Sequence, residues 1–252
     1  MTALEAVVFD VDGTLVDSER DGHRVAFNLA FAEFGLPYEW GVEEYGGLLR
    51  TTGGQPRIDR YLVSRGVPDG ERATLVPALH ARKTEIMSSL VEEGKVGVRP
   101  GARRLLDELA SAGTKLAVAT TGSRGWVARL LDHLLPGVAF DVIVCGDEVA
   151  ARKPDPEAFE AAVAKLGTSP ATTVAVEDSH EGLSAAVAAG LVTAVVANDY
   201  TRYHDLAAAA LVLDGFGEPG QPAAVLADRV ASECAGVLDL VTLDRLVGSP
   251  SR

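Results

Sequence analysis

Residues 9–15 read Phe-Asp-Val-Asp-Gly-Thr-Leu and directly follow the apolar run Ala6-Val7-Val8. The run has the length of a buried strand, and it ends in two carboxylates one residue apart with a glycine behind them. Such an ending points Asp10 at the carboxyl edge of a sheet and carries Asp12 into a tight turn. Open α/β sheets place their ligands at that edge. A carboxylate there can attack phosphorus and form an aspartyl-phosphate. A second carboxylate two residues on can handle the proton of the leaving or entering oxygen. Acidic turns also occur without chemistry, so the reading depends on what the rest of the chain supplies.

Downstream of residue 97 helical and strand patterns alternate. Gly101–Ala112 is predicted helical, with Leu105, Leu106 and Leu109 on one face and Gly113 as its stop. Strands are expected at Lys115–Ala119, Phe140–Val144, Thr173–Val176, Val192–Val196 and Leu211–Leu213. Helices are expected at Gly125–Leu135, Asp155–Leu166 and Glu181–Ala189. Strands spaced by helices of this length imply an α/β fold: a Rossmann-like parallel sheet with helices on both faces.

Residues 19–96 break the alternation and read as helices, around His23–Phe34, Gln55–Arg65 and Arg72–Glu93. The expected organisation is therefore a discontinuous α/β core, 1–18 and 97–252, with an inserted helical cap subdomain, 19–96. The linkers fall near Asp17–Arg20 and at the glycine-rich Gly94–Pro100. Gly215–Pro222 is expected as a surface connection, and 223–247 as one or two further helices without a chemical motif.

The 252 residues carry a formal net charge of −13. Such a chain has no general attraction for nucleic acid or an anionic membrane. An anionic substrate then needs a local cationic pocket and a metal ion. Met1–Glu5 lacks the basic start of a signal peptide, and no apolar stretch approaches the ~20 residues of a membrane span. A cytoplasmic location is expected, with Cys145 and Cys234 as thiols. A monomer acting on a small phosphorylated sugar is the working expectation.

Three further stretches complete the first motif. Thr120-Thr121-Gly122-Ser123 follows the apolar Leu116–Ala119. Lys153-Pro154-Asp155-Pro156-Glu157 opens a helix. Val174-Ala175-Val176-Glu177-Asp178-Ser179 ends a strand in acid. In this order and spacing the four elements resemble the haloacid dehalogenase superfamily along most of the chain. The resemblance implies Asp10 as nucleophile and Asp12 as general acid/base, whose backbone carbonyl also touches the metal. It makes Lys153 the partner of Asp10 and of the phosphoryl oxygens, with Thr120 offering its hydroxyl to the transferring group. Asp10 and Asp178 together suit a hard cation such as Mg²⁺, and Glu177 is placed to hold one of its waters. The backbone N–H groups of Thr121 and Gly122 can add an anion-binding nest. Thr14 is left between a role in the site and simply tying down its turn.

In the insert, Glu19, His23, Thr52, Gly53, Gly54, Arg57 and Lys83 are the candidate substrate contacts. Asp21–Arg24, Ala26-Phe27-Asn28, Thr51–Gly54 with Arg57-Ile58, and Lys83-Thr84-Glu85 resemble the CbbY branch, within a β-phosphoglucomutase-like subgroup. That resemblance implies a phosphatase of xylulose 1,5-bisphosphate, needing a second phosphate site. Gly53-Gly54 would admit the phosphate close to the backbone, and Arg57 and Lys83 would neutralise it. Gln55 and Pro56 depart from the pattern expected there. His23 also reads as an ordinary helix histidine, and Arg57 and Lys83 as ordinary charges. A β-phosphoglucomutase-type mutase is the alternative activity, and a non-catalytic phosphometabolite-binding module a third. Trp40 and Trp126 read as packing residues. The remaining histidines lack metal-ligand spacing.

Overall fold

The computed structural model describes residues 4–51 and 53–248. They fall into two compact units, 4–16 with 98–248 and 17–97.

The first unit is built on a seven-stranded sheet. Its strands are β1 (Ala6–Phe9), β2 (Lys115–Ala119), β3 (Val142–Val144), β4 (Thr173–Glu177), β5 (Val192–Val196), β6 (Leu211–Leu213) and β7 (Val225–Asp228). The spatial order is β3-β2-β1-β4-β5-β6-β7. Strands β1 to β6 are parallel and only β7 is antiparallel, against β6. Both faces are covered by helices, so central strands read as unbroken apolar runs rather than alternating ones. Every residue of β1 is fully buried. The chain leaves β1 for β2 and β3 on one side and returns through β4 on the other. The carboxyl ends of β1 and β4 therefore flank the point where strand order reverses, which is where a crevice opens in such sheets.

The α/β expectation holds, with local corrections. The predicted strand Phe140–Val144 shortens to Val142–Val144, because Asp141 turns its carboxylate back to cap the start of β2 through the Leu116 N–H at 2.9 Å. The predicted helices in 223–247 are wrong in their first half, where Val225–Asp228 forms the edge strand β7. Its pattern of Val225 and Leu226 exposed, then Ala227 and Asp228 half-buried, is not amphipathic at helical period. A helix does follow at Leu240–Gly248, with Leu243 and Leu246 buried.

The 17–97 unit is helical: a short π-turn at Glu19–His23, then α1 (Arg24–Glu33), α2 (Val42–Leu48), α3 (Gly54–Ser64) and α4 (Asp69–Glu92). Helix α2 was not foreseen, since Val42-Glu43-Glu44-Tyr45-Gly46-Gly47-Leu48 carries two helix-weakening glycines. Tertiary packing overrides propensity there: Tyr45 is buried beside Trp40 and Phe27. Trp40 packs on Phe27 and Phe31 with ring centroids 4.7 and 4.9 Å apart, as a core residue should. In the sheet unit, the helices after Ala119 and Glu177 are α6 (Arg124–Leu134) and α8 (His180–Ala188); α5 (Ala102–Ser111), α7 (Glu157–Leu166) and α9 (Leu240–Gly248) complete the set. No helix of the described residues is long and apolar enough to cross a membrane.

Candidate active site

Asp10 is the first residue past β1, whose last residue Phe9 pairs with Val118 of β2 and Val176 of β4. Its N–H continues the ladder onto the Val176 carbonyl at 3.0 Å. The register thus brings Asp10, Thr120, Glu177 and Asp178 to one edge. Lys153 arrives from the loop before α7, and its ammonium donates to Asp10 Oδ1 at 2.7 Å and to Glu177 Oε1 at 2.5 Å. All five are buried, none more than 7% exposed. Lys153 also lies 4.8 Å over the Phe159 ring.

Burial is the largest influence on Asp10 and pushes its carboxyl up to about 7; Lys153 opposes it without prevailing. Burial also opposes the charge on Lys153, but Asp10 and Glu177 together hold its ammonium above the ordinary lysine value. Carboxylate oxygens of Asp10, Glu177 and Asp178 lie within 4.8 Å of one another. Three carboxylates facing one ammonium leave negative charge that a divalent cation would balance. Hard oxygen donors suit Mg²⁺.

The three acids are not equivalent. Glu177 Oε1 holds Lys153, while Oε2 accepts from the Asp178 N–H at 3.0 Å and the Ser179 hydroxyl at 3.2 Å. It is used to seat the lysine and the start of α8. Asp178 Oδ1 accepts from Thr14 Oγ1 at 3.2 Å and Oδ2 from Asn198 Nδ2 at 2.7 Å. Thr14 therefore reaches across to the second acid rather than only closing its own turn. Asp12 sits half-buried in that turn. Thr120 Oγ1 accepts the Gly122 N–H at 3.1 Å. This occupies the Gly122 donor expected for an anion nest and leaves the Thr120 hydroxyl proton to give. Thr121 and Gly122 are half-buried.

Two neighbours escaped sequence reading. Asn198, just past β5, bonds Asp178 and the Gly13 carbonyl. Arg99 is buried and donates to the carbonyls of Gly13 at 2.7 Å, Val196 at 2.6 Å and Ala197 at 2.8 Å. Position after a strand was the available signal for Asn198; nothing local marks Arg99.

The helical unit gathers its own polar cluster. Arg57 is buried and donates through Nη1 to the Tyr45 hydroxyl at 2.9 Å, which in turn donates to Glu19 Oε2 at 2.6 Å. Arg57 Nε is buried without a hydrogen-bond partner among the described residues. Lys83, also buried, contacts His23 Nδ1 at 2.8 Å and stands 4.9 Å over the Phe27 ring. Gly53 has φ +93°, and a Cβ on Gly54 would come within 2.5 Å of the His80 ring. Tyr45 was missed because an isolated tyrosine reads as packing. Thr52 lies outside the described residues.

The sequence profile of haloacid dehalogenase-like hydrolases matches residues 4–190. The chain is 43% identical over 221 residues to protein CbbY of Cereibacter sphaeroides, covering 86% of this chain and 94% of that one. It is 39% identical over 226 residues to a CBBY-like protein of Arabidopsis thaliana, covering 86% and 71%. Among solved structures it superposes on a CbbY variant from Rhodobacter sphaeroides in complex with xylulose 1,5-bisphosphate. The TM-score there is 0.76 at 41% identity, over 84% of this chain and 94% of the other. A buried Asp–Lys–Glu edge on a doubly wound sheet, in a chain similar to these relatives along most of their length, leads to one conclusion: the chain belongs to the haloacid dehalogenase-like hydrolases and is an enzyme of their phosphatase kind.

Proposed function

We propose that the enzyme is a Mg²⁺-dependent phosphatase of phosphorylated sugars that works through an aspartyl-phosphate on Asp10, with a pentulose bisphosphate such as xylulose 1,5-bisphosphate as substrate. The observation that carries this reading is the buried Lys153 ammonium held between Asp10 and Glu177 at the sheet's reversal point. It fixes one Asp10 oxygen, so the carboxylate is oriented before substrate arrives, and orientation is a large share of phosphoryl-transfer catalysis.

In the first step an Asp10 carboxylate oxygen bonds to phosphorus, the ester P–O bond breaks, and Asp12 gives its proton to the departing sugar oxygen. In the second, water bonds to phosphorus, Asp12 takes the proton, and the P–O bond to Asp10 breaks to regenerate the carboxylate. Thr120 donates its hydroxyl to a phosphoryl oxygen and Lys153 offsets the charge. Asp10, Asp178 and the Asp12 carbonyl would hold Mg²⁺, which would supply the remaining positive charge.

For the rest of the substrate, the 17–97 unit acts as the cap and reads the second phosphate. Support comes from Arg57, whose buried Nε lacks a partner among the described residues, and from similarity to a relative crystallised with a sugar bisphosphate. Transfer to water, rather than to a second sugar hydroxyl as in a mutase, is favoured by the same similarity. The test is phosphate release from sugar mono- and bisphosphates, with and without Mg²⁺, in parent and Arg57→Ala. A charge-assisted bond is worth about 1.5–3 kcal/mol, so Arg57→Ala should lose roughly ten- to more than hundredfold in kcat/KM on the bisphosphate. Monophosphate turnover should barely change. Equal losses on both would remove Arg57 from phosphate reading.

Metal binding should depend on pH in a definite direction. Mg²⁺ needs the Asp10 carboxylate, and in the metal-free protein that group is pushed up to about 7. Below that value a proton must leave for the ion to bind. Apparent Mg²⁺ affinity should fall about tenfold per pH unit beneath pH 7 and level off above it. Because the folded carboxyl lies above its ordinary value, raising the pH also costs the metal-free fold stability, and Mg²⁺ should restore it. Calorimetric titration and thermal unfolding from pH 5.5 to 8.5 would check both; a flat affinity profile would refute the displacement.

A further inference from the structure

We propose that Asn198 is a positioning residue for the cation: its carboxamide ties the strand end carrying Asp178 to the turn carrying Asp12 and Gly13. The inference rests on the reading of Asp10, Asp12 and Asp178 as cation ligands, and names a residue outside the four motifs.

The orientation of the amide follows from its partners. Asn198 Oδ1 accepts the backbone N–H groups of Tyr200 at 2.9 Å and Thr201 at 3.2 Å. Peptide N–H groups only donate, so the oxygen must face the loop and the NH₂ must face away from it. That NH₂ donates to Asp178 Oδ2 at 2.7 Å and points at the Gly13 carbonyl at 3.3 Å. The Asn198 N–H is closed as well, onto Thr201 Oγ1 at 3.0 Å. The side chain is thus fixed at both ends by an Asx-type turn.

Gly13 completes the arrangement. It has φ +88°, and a Cβ there would lie 2.7 Å from Asp178 Oδ2 and 3.1 Å from Asn198 Nδ2. Its missing side chain leaves the room in which Asp178 and Asn198 meet. The Gly13 carbonyl also accepts from Arg99 at 2.7 Å, so the peptide after Gly13, one residue past Asp12, is gripped from two sides. Chemically the choice of a neutral donor matters. Lys153 holds Asp10 with a positive charge; an amide holds Asp178 without cancelling any of the charge a cation would use. Groups of this kind, which orient a ligand without touching the ion, commonly change metal affinity 10–100-fold when removed.

The experiment is Mg²⁺ titration by calorimetry of the metal-free parent, Asn198→Ala and Asn198→Ser. Serine keeps a short acceptor for the Tyr200 and Thr201 N–H groups while losing the donor to Asp178, so it decides the matter if the alanine variant folds poorly. Both variants should bind Mg²⁺ about 10–100-fold more weakly, and added Mg²⁺ should recover most of the phosphatase rate. Asp199→Ala, which disturbs the same loop through its pair with Arg202, should bind like the parent. Parent-like affinity in a folded Asn198→Ser, or equal weakening in Asp199→Ala, would overturn the assignment. A parent that binds no Mg²⁺ would overturn the cation reading itself, and this inference with it.

Discussion

Asp10→Asn should abolish phosphate release, by on the order of 10⁴–10⁶-fold, the scale seen when a covalent nucleophile is removed. The fold should survive. Asparagine is the same size, and the group it replaces is one whose charge burial already resists, with the carboxyl pushed up to about 7. A neutral amide in that place removes a desolvation cost, so metal-free stability should hold or rise at pH 8. Lys153 keeps Glu177 as its second carboxylate at 2.5 Å, which prevents an orphaned ammonium. The variant should also lose the Mg²⁺-induced rise in unfolding temperature, since one cation ligand is gone. Phosphate release and thermal unfolding with and without Mg²⁺ test both halves. Near-parental turnover would refute the aspartyl-phosphate mechanism.

Lys153→Met should cost both activity and stability, and its stability loss should grow with pH. Methionine keeps most of the chain's length against Phe159 but removes the ammonium bonded to Asp10. Asp10 and Glu177 are 7% and 1% exposed, so neither can turn to water. Breaking a buried pair in this way typically costs about 3–5 kcal/mol. Without the ammonium the Asp10 carboxyl, already pushed up by burial, moves further upward, so it favours the folded state only while protonated. The deficit against the parent is then smallest near pH 5, where a proton neutralises Asp10, and largest at pH 8. Mg²⁺ should return part of it. Urea unfolding at the two pH values is the measurement. A deficit below about 1 kcal/mol at both would mean the pair is not buried and coupled as described.

The two variants also separate what each motif does. Asp10 and Asp12 share one strand–turn segment, so their spacing alone brought them together in the sequence. Lys153 lies 143 positions from Asp10, and its significance came only with the resemblance that four ordered motifs carried. Those motifs were legible because each is a strand end or helix start, where hydrophobic periodicity stops and a polar residue follows. The same periodicity laid out β1, β2, β4 and β5. It failed at Val225–Asp228, where an edge strand half open to solvent has no strong pattern, and at Val42–Leu48, where packing around Tyr45 outweighs two glycines.

Sequence by itself determined the class of the sheet and the residues that end its strands, because apolar runs and turn residues are local properties of the chain. Tertiary structure alone decided how those residues are used. Glu177 became the lysine's second anchor, and the Gly122 N–H was taken up by Thr120. Arg57 was drawn into contact with Tyr45, and Asn198 and Arg99 converged on Gly13. An asparagine after a strand and an arginine before a helix carry the same donors in any protein. Those donors acquire a role only when the fold brings them within about 3 Å of a carboxylate or carbonyl shielded from water, where a hydrogen bond has direction and consequence.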